Sequence, residues 1–431
     1  MSGTGARWFA FVESNTTGTG RDFCAAARAR GLRPVLLTRD PGRYGYVAED
    51  GVDTVVLDTS DADAVYEECA ALARGAGLAG ITSSSEYYVV TAARTAAKLG
   101  LPAPDADAVA RCRAKDVQRA LLADAGVPVP RFAAVGEVAD AVAAAEDIGH
   151  PVVLKPVSGS GSVGVKLCRD RAETTQWARE LLGRATDERG APVPSRILVE
   201  AAVEGPEFSV ETFDDHVVTV VGKHLGPEPY FVETGHDVPA PAGSAALAAL
   251  GDTARAALAA LGLGWGAAHT ELRLSANGPV VIEVNPRLAG GMIPVAVRAA
   301  TGRDLVDEVI AGAAGQEAPA AGPGAGHAAI RFLLATGTAQ DPERRVSAVE
   351  GLERAAAAPR VVAATTTGSA TIGRTLRVTH SFQDRLACVV ATGGSGEEAE
   401  RHALDAARLI RIGFQQQAAP QALDGEGVGG R

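Results

Sequence analysis

Residues 269–291 read HTELRLSANGPVVIEVNPRLAGG, and this stretch decides the fold. Two runs of alternating polar and apolar residues flank Asn277-Gly278, a strong short-range signal for a β-hairpin. On the first run His269, Glu271 and Arg273 share one face, and Ala268, Thr270 and Leu272 the other. On the second run Val281, Glu283 and Asn285 share a face. A three-residue turn at Ala276, Asn277 and Gly278 pairs Ser275 with Pro279 and so sets Glu271 directly opposite Glu283. Like charges across a ladder, with Cβ atoms about 5 Å apart, are destabilising. A hard divalent cation bound by oxygens removes the conflict, and Asn285 adds a neutral ligand on the same side. Magnesium suits so sparse a carboxylate set when substrate phosphates complete it. The competing reading is a solvated outer face with the register shifted by one. Against it, the second strand is otherwise apolar (PVVI) and Arg287 follows at once, so a metal–phosphate site is the better reading.

Upstream, KPVSGSGSVGV (155–165) carries G-x-G-x-x-G at Gly159, Gly161 and Gly164. A dinucleotide fingerprint opens a helix, whereas this loop runs into the alternating Val163, Val165 and Leu167. A P-loop fails too, because Lys166 is not preceded by Gly and no Ser or Thr follows it. Kinases use a similar flap, but the chain has no H-R-D or D-F-G. What remains is strand, glycine loop, strand: a flap of Ser158, Gly159, Ser160, Gly161, Ser162 and Gly164 whose backbone N–H groups can fold over phosphates. Lys155, on the strand before the flap, can place an ammonium on the same phosphates. The plain alternative is a Gly/Ser surface turn with a solvated Lys155. That lysine interrupts VVL just before a proline, which disfavours the alternative.

The 431 residues exceed one ordinary core and suggest about three domains. A hydrophobic content of 46% with 22% charged residues is globular. No stretch approaches the roughly 18 uninterrupted apolar residues of a spanning helix, and the N-terminus lacks the apolar core and cleavage site of a signal peptide. Five scattered cysteines, never spaced C-x-x-C, argue against a disulfide framework and structural zinc and fit a reducing cytoplasm. A net charge of −11, with no basic patch interleaved with aromatics, disfavours nucleic acid as the main partner. These features together describe a cytoplasmic enzyme acting on small molecules, with neither a membrane nor a nucleic acid as partner.

The first hundred residues alternate strands (7–13, 34–38, 54–58, 78–82) with helices (20–30, 61–74, 86–100), the pattern of a doubly wound parallel sheet. Glu86 thereby falls at the carboxyl end of a strand, where such sheets place ligands. LPAPDAD (101–107) marks a boundary. A helix at 115–124, an extended 127–132, a helix at 137–148, the strands at 152–155 and 163–168 around the flap and a helix at 172–182 form a small second unit. An exposed polar loop (183–194) follows. From Ile197 the chain is strand-rich, interrupted by one long Ala/Leu helix at 244–261. A Pro/Gly/Ala linker (315–326) precedes a last segment of alternating strand and helix. That segment completes the catalytic domain or forms a homodimer interface, and the tail after Gln415 is expected to be disordered. The expected domains are 1–112, 113–200 and 201–431, the last with a terminal subdomain from about 327.

Taken together, Lys115, Lys155 with its flap, LVEAAVEGPEFSVE (198–211) and the hairpin glutamates with N-P-R resemble the ATP-grasp family of carboxylate–amine ligases. The resemblance runs from about residue 5 to 330. Within that family, SSE (84–86), VETGH (232–236), HTELRL (269–274) and an arginine followed by a small-residue turn and M-I-P (287–294) are most similar to bacilysin-type L-amino acid ligases, which make dipeptides. The resemblance implies an α/β fold, α+β in part, with an N-terminal doubly wound domain, a small lid and a C-terminal catalytic domain. It implies ATP and Mg²⁺ as cofactors, with Lys115 and Lys155 on the ATP phosphates beneath the glycine flap. Glu200, Ala202 and Val203 would border the adenine, with Glu207 near the ribose. Glu271, Glu283 and Asn285 would hold magnesium, and Arg287 the transferred phosphate. Glu86 and His236 would face the amino acid substrates, His236 or Glu86 serving as base, and Lys223 and His224 lie close enough to join either set.

Two departures narrow the reading. Bacilysin-type enzymes have an aromatic residue where this chain has Gly291 or its neighbour Gly290, which implies a roomier substrate pocket. A biotin carboxylase would carry R-x-Q-V-E-H after N-x-R, where RLAGGM stands instead. The implied reaction is ATP-dependent joining of an amino acid carboxylate to an amine through an acyl phosphate. The alternatives are the same fold acting on a non-amino-acid carboxylate, and a non-catalytic nucleotide-binding protein.

Overall fold

A computed structural model of the chain describes residues 6–15, 19–187, 190, 192–338 and 343–416. The polar loop expected at 183–194 lies partly outside the described residues, and the disorder expected of the tail lies outside them from 417 onward. Among the described residues the strands form four sheets.

The N-terminal unit is a parallel sheet of β1 (Trp8–Val12), β2 (Arg33–Thr38), β3 (Asp53–Val56) and β4 (Leu78–Thr82), in the order β3-β2-β1-β4. WFAFV and PVLL are continuous apolar runs because helices cover both faces. Val65, Cys69, Ala92 and Ala96 pack on one side, and Phe23, Cys24 and Ala27 on the other. The helix expected from Glu86 begins only at Val89. Glu86 therefore stays in the loop after β4.

The second unit is an antiparallel sheet of β5 (Phe132–Val135), β6 (Val152–Pro156), β7 (Lys166–Cys168) and β8 (Ile197–Ala201), ordered β5-β8-β6-β7. Helices Val138–Ile148 and Arg171–Leu182 back it through Ala141, Ala145, Trp177 and Ala178. The strand after the flap is shorter than the expected 163–168. Ser162 and Gly164 take φ of 62° and 78°, a left-handed backbone that a strand cannot contain.

The third unit is built on β9 (Glu207–Phe213), β10 (His216–Leu225), β11 (Glu233–Val238), β12 (Ala267–Ser275), β13 (Gly278–Asn285), β14 (His327–Leu334), β16 (Val361–Thr366) and β18 (Arg385–Gly393). They form one sheet in the order β13-β12-β9-β10-β11-β14-β18-β16, so the segment after the linker extends the same sheet as the glutamate hairpin. A small sheet of β15 (Arg344–Glu350), β17 (Thr375–Leu376) and β19 (Arg411–Gln416) stands beside it. The long helix Ser244–Leu261 lays Leu250, Ala254, Ala257 and Leu258 on Phe208, Val210, Leu272 and Val284.

The hairpin reaches its expected Glu271–Glu283 pairing by a different route. The turn has two residues, Ala276 and Asn277, with Ser275 opposite Gly278. An irregularity beside Glu271 then restores the register, so that Glu271 faces Glu283 and His269 faces Asn285. The extra residue is Ile282, a β-bulge. It also corrects the expected alternation: Val281 joins Val284 and Leu272 in the core instead of sharing a face with Glu283. The bulged Ile282 carbonyl accepts from Arg119 Nη2 at 2.7 Å and Lys155 Nζ at 3.4 Å.

Candidate active site

The two facing carboxylates of the hairpin are each met by an ammonium group. Glu283 Oε1 lies 2.9 Å from Lys115 Nζ, which also donates to the flap carbonyl of Gly159 at 2.8 Å. Glu271 Oε2 lies 3.0 Å from Lys223 Nζ, and its Oε1 lies 3.1 Å from His269 Nε2. Lys223 also reaches Glu207 at 2.8 Å and Glu233 at 2.9 Å. Lysines thus relieve the charge conflict expected across the ladder within the protein itself. One arm of the Asn285 amide points at the same place, 3.2 Å from Glu283 Oε1 and 3.3 Å from Glu86 Oε2. With its nitrogen there it donates to both carboxylates; with its oxygen there it adds a third oxygen for a cation. Among the described residues no group of three or more His, Cys, Asp and Glu side chains could hold an ion alone. Two carboxylates and an amide oxygen fit magnesium, which takes few protein ligands and completes its shell from phosphates and water.

Lys155 is 4% exposed, which removes the solvated alternative. Its Nζ lies 2.7 Å from Glu200 Oε2, and Arg119 holds Glu200 Oε1 at 2.6 Å. Burial would raise the Glu200 carboxyl, but Arg119 and Lys155 outweigh it and hold it below the usual range. Burial lowers the Lys155 ammonium against the pull of Glu200. Ala202 and Val203 follow β8 where the chain crosses to the large sheet, and Val203 O accepts from Arg273 Nη1 at 2.9 Å. Glu207 is shared between Lys223 and Arg273, the latter at 3.0 Å. The flap rests on residues far along the chain: Ser162 Oγ donates to Phe231 O at 2.9 Å, and Phe382 N donates to Gly161 O at 3.1 Å. Ser158 and Ser160 sit partly buried in the same loop.

Glu86 is clasped by Arg287 on one oxygen and Arg113 on the other. Burial would raise its carboxyl; Arg287 and Arg113 bring it down to about 2, so it is ionised at neutral pH. A cavity of about 570 Å³ runs from Arg287 and Leu288 past Ser83 and Ser84 to Trp265, between the N-terminal unit and the large sheet. Gly290 and Gly291 close the turn that Arg287 opens. His236 is fully buried, and neither ring nitrogen has a hydrogen-bond partner. Burial takes it down to about 3, so it is a neutral imidazole. The space beside Gly291 is not simply roomier. A Cβ there would lie 3.1 Å from Arg385 Nη1, 3.3 Å from Phe332 Cζ and 3.7 Å from His236 Nε2. His224 does not join the site. It bonds Asp237 at 2.7 Å and lines a separate groove of about 600 Å³ with Arg331 and Glu400.

Comparison with known proteins identifies the domains that carry this site. Residues 148–295 match the ATP-grasp domain, residues 24–103 the ATP-grasp N-terminal domain, and residues 342–415 the L-amino acid ligase C-terminal domain 2. An uncharacterised protein of Sinorhizobium fredii is 38% identical over 347 residues, 80% of this chain and 71% of that one. This chain belongs to the ATP-grasp ligase family. The alanine–anticapsin ligase of Bacillus subtilis is 29% identical over 253 residues, 53% of each chain, so the match spans about half the length of that relative. The crystal structure of an L-amino acid ligase from Bacillus licheniformis shares the fold, with a TM-score of 0.77 and 22% identity, covering 95% of this chain and 99% of that one. ATP and Mg²⁺ are the cofactors of the ATP-grasp family.

Several residues in this ATP-grasp ligase's site carry no motif of their own. Arg113, Arg119 and Arg385 each complete an ion pair with a residue singled out from sequence or with its neighbour, and Glu233, within VETGH but given no role there, pairs with Lys223 and Arg385. His269 was legible only as a member of the glutamate face. It bonds Glu211 at 2.7 Å and Glu271 at 3.1 Å. Burial would lower its pKa, but Glu211 and Glu271 raise it to about 10, so His269 is a cation. All five cysteines are free and buried. No helix among the described residues is long and apolar enough to cross a membrane.

Proposed function

We propose that this chain activates the carboxylate of an amino acid or a related acid as an acyl phosphate and joins it to an amine, releasing ADP and phosphate. The observation that carries the reading is one relay of contacts. Glu283, opposite Glu271, bonds Lys115, and Lys115 bonds the flap at Gly159. Carboxylates suited to a metal and a loop suited to phosphates are therefore neighbours.

The chemistry explains the need for these parts. A carboxylate acylates poorly because its leaving group would be oxide. Its oxygen attacks the γ-phosphorus of ATP, the bond to the β–γ bridging oxygen breaks, and ADP departs. Lys115, Lys155 and the flap N–H groups neutralise charge on the transferring phosphoryl group, which is most of what such transfer requires. Glu271, Glu283 and Asn285 would hold magnesium, which would supply further neutralisation of the phosphate oxygens. A neutral amine then attacks the acyl carbon and phosphate leaves. Arg287 stabilises the oxyanion or the departing phosphate, and Glu86 positions it. Glu86, ionised between two guanidinium groups, is spent as a positioning residue, and a His236 held near 3 is a weak base. The incoming ammonium therefore loses its proton before attack or to water. The lid unit, closed on Phe382 and Phe231, keeps water from the acyl phosphate.

The test is ADP and phosphate release with ATP and Mg²⁺ across a panel of acids and amines. Hydroxylamine traps the acyl phosphate as a hydroxamate, and mass spectrometry identifies the product. Acid-stimulated release with hydroxamate formation is expected; no stimulation by any acid overturns the reading.

A further inference from the structure

The turn that begins at Arg287 ends at Gly291, and two polar groups from distant segments, Arg385 and His236, meet there beside Phe332. Arg385, on β18 of the C-terminal segment, pairs with Glu233 and stacks its guanidinium 4.1 Å from the centre of the Phe332 ring. Phe332 in turn meets His236 edge-on at 5.7 Å. Glu233 also bonds Lys223 at 2.9 Å, a lysine it shares with Glu207 and Glu271, so its carboxylate is committed to Arg385 and Lys223. Arg385 is only 7% exposed, yet its Nε–H has no hydrogen-bond partner, and neither nitrogen of the fully buried His236 makes a hydrogen bond, Nε2 lying 3.7 Å from Glu233 Oε2. Buried donors are seldom left without a hydrogen bond, because each then loses its solvation uncompensated. Unpartnered groups gathered beside the residue that bears on the transferred phosphate mark a recognition niche rather than a packing fault.

The chemistry of the niche selects its ligand. It offers a guanidinium N–H and a neutral imidazole, and no uncommitted carboxylate. An ammonium group finds no counter-charge there, whereas a carboxylate finds a cation with a free donor. We propose that Arg385 recognises a second carboxylate on the acid substrate, so that the acid activated is a dicarboxylic or acidic amino acid. This rests on the ligase reading and adds the class of acid. It also gives the C-terminal segment a part in the site: its arginine and Phe332 fill the space that Gly291 leaves.

The experiment compares succinate with butyrate, and glutamate with norvaline, as stimulants of ATP turnover trapped by hydroxylamine. Wild type is expected to show a lower KM for the acid with the second carboxylate. Arg385→Gln is expected to raise that KM about 10- to 100-fold and the monocarboxylate KM far less, with Arg385→Lys recovering part of the loss. Phe332→Leu keeps the charge but removes the ring beneath it, and is expected to give a smaller increase of the same selectivity. Thermal denaturation of each variant with and without succinate provides a binding readout independent of turnover. Succinate is expected to raise the wild-type midpoint more than the Arg385→Gln midpoint. Equal KM changes for both acids in Arg385→Gln, or a wild-type preference for the monocarboxylate, overturn the assignment while leaving the ligase reading intact. Absence of stimulation by any acid overturns the ligase reading and this assignment with it.

Discussion

Lys115 and Glu283 form a 2.9 Å ion pair that ties the helix Lys115–Asp124 to the glutamate hairpin. Lys115 balances Glu283 within the protein, so metal binding has to draw that carboxylate from the lysine while the phosphates take up the lysine's charge. Nucleotide and metal should therefore bind together. Glu283→Gln removes one of the two facing carboxylates. It is expected to raise the Mg²⁺ concentration for half-maximal turnover about tenfold or more, the cost of one charge-assisted contact. Magnesium titration of ADP release checks it, and an unchanged midpoint would remove Glu283 from the metal set.

Glu200 serves two buried cations at once, which makes it more critical to stability than either partner. Glu200→Ala strands Lys155 and Arg119, whereas Lys155→Met leaves Glu200 paired with Arg119. Leaving a buried charge uncompensated costs about 3–5 kcal/mol. Urea denaturation should show a loss of that order for Glu200→Ala and a clearly smaller one for Lys155→Met. Lys155→Met should nonetheless lose turnover, separating the structural role of the pair from its role on phosphate.

The hairpin was legible because its alternation and Asn-Gly turn are local, and so were the flap and the long Ala/Leu helix. The bulge at Ile282 was not, since an extra apolar residue among PVVI changes no pattern that a period of two can register. Helices Ala106–Arg113, Ile293–Thr301 and Leu305–Ala313 are short and escaped the periodic reading. Apart from Arg287 in N-P-R, the arginines of the site had no local signal at all. Arg119 meets a glutamate 81 residues away and Arg385 one 152 residues away, and only the folded sheet brings them together. Burial likewise decides what sequence could not: Glu86 and His236 were both candidate bases, and their surroundings leave one permanently ionised and the other neutral.

His269 gives the fold a pH dependence of definite sign. Its folded pKa of about 10 lies above the ordinary 6.5, because Glu211 and Glu271 hold the charged ring. A group raised on folding contributes fully below its unfolded pKa and loses that contribution as pH climbs through its folded one. The His269 contribution is therefore complete below about pH 6.5 and declines toward pH 10. Urea denaturation at pH 6.5 and 9.5 should show wild type losing more stability across the interval than His269→Gln. Equal losses would mean that the ring is neutral in the folded protein.

Gly161 and Phe382 should prove energetically coupled, although one lies in the flap and the other in the C-terminal segment. Gly161 has φ of 67°, and a Cβ on it would come within 2.3 Å of Phe382 Cδ1, so no side chain fits while the ring is in place. Close by, Tyr230 stacks on His380 at 4.0 Å, so the flap lies against a built surface. Gly161→Ala therefore pays both a left-handed backbone, about 1–2 kcal/mol, and a clash. It is expected to raise the KM for ATP by about 10-fold or more, since an open flap leaves the phosphates unheld. Phe382→Ala alone removes a support and is expected to raise the same KM more mildly. In the double variant the clash disappears and only the backbone strain and the lost support remain, so its KM should fall below that of Gly161→Ala. A double-mutant cycle on the KM for ATP reads this directly. Strictly additive effects would show that the flap does not close on Phe382 during turnover.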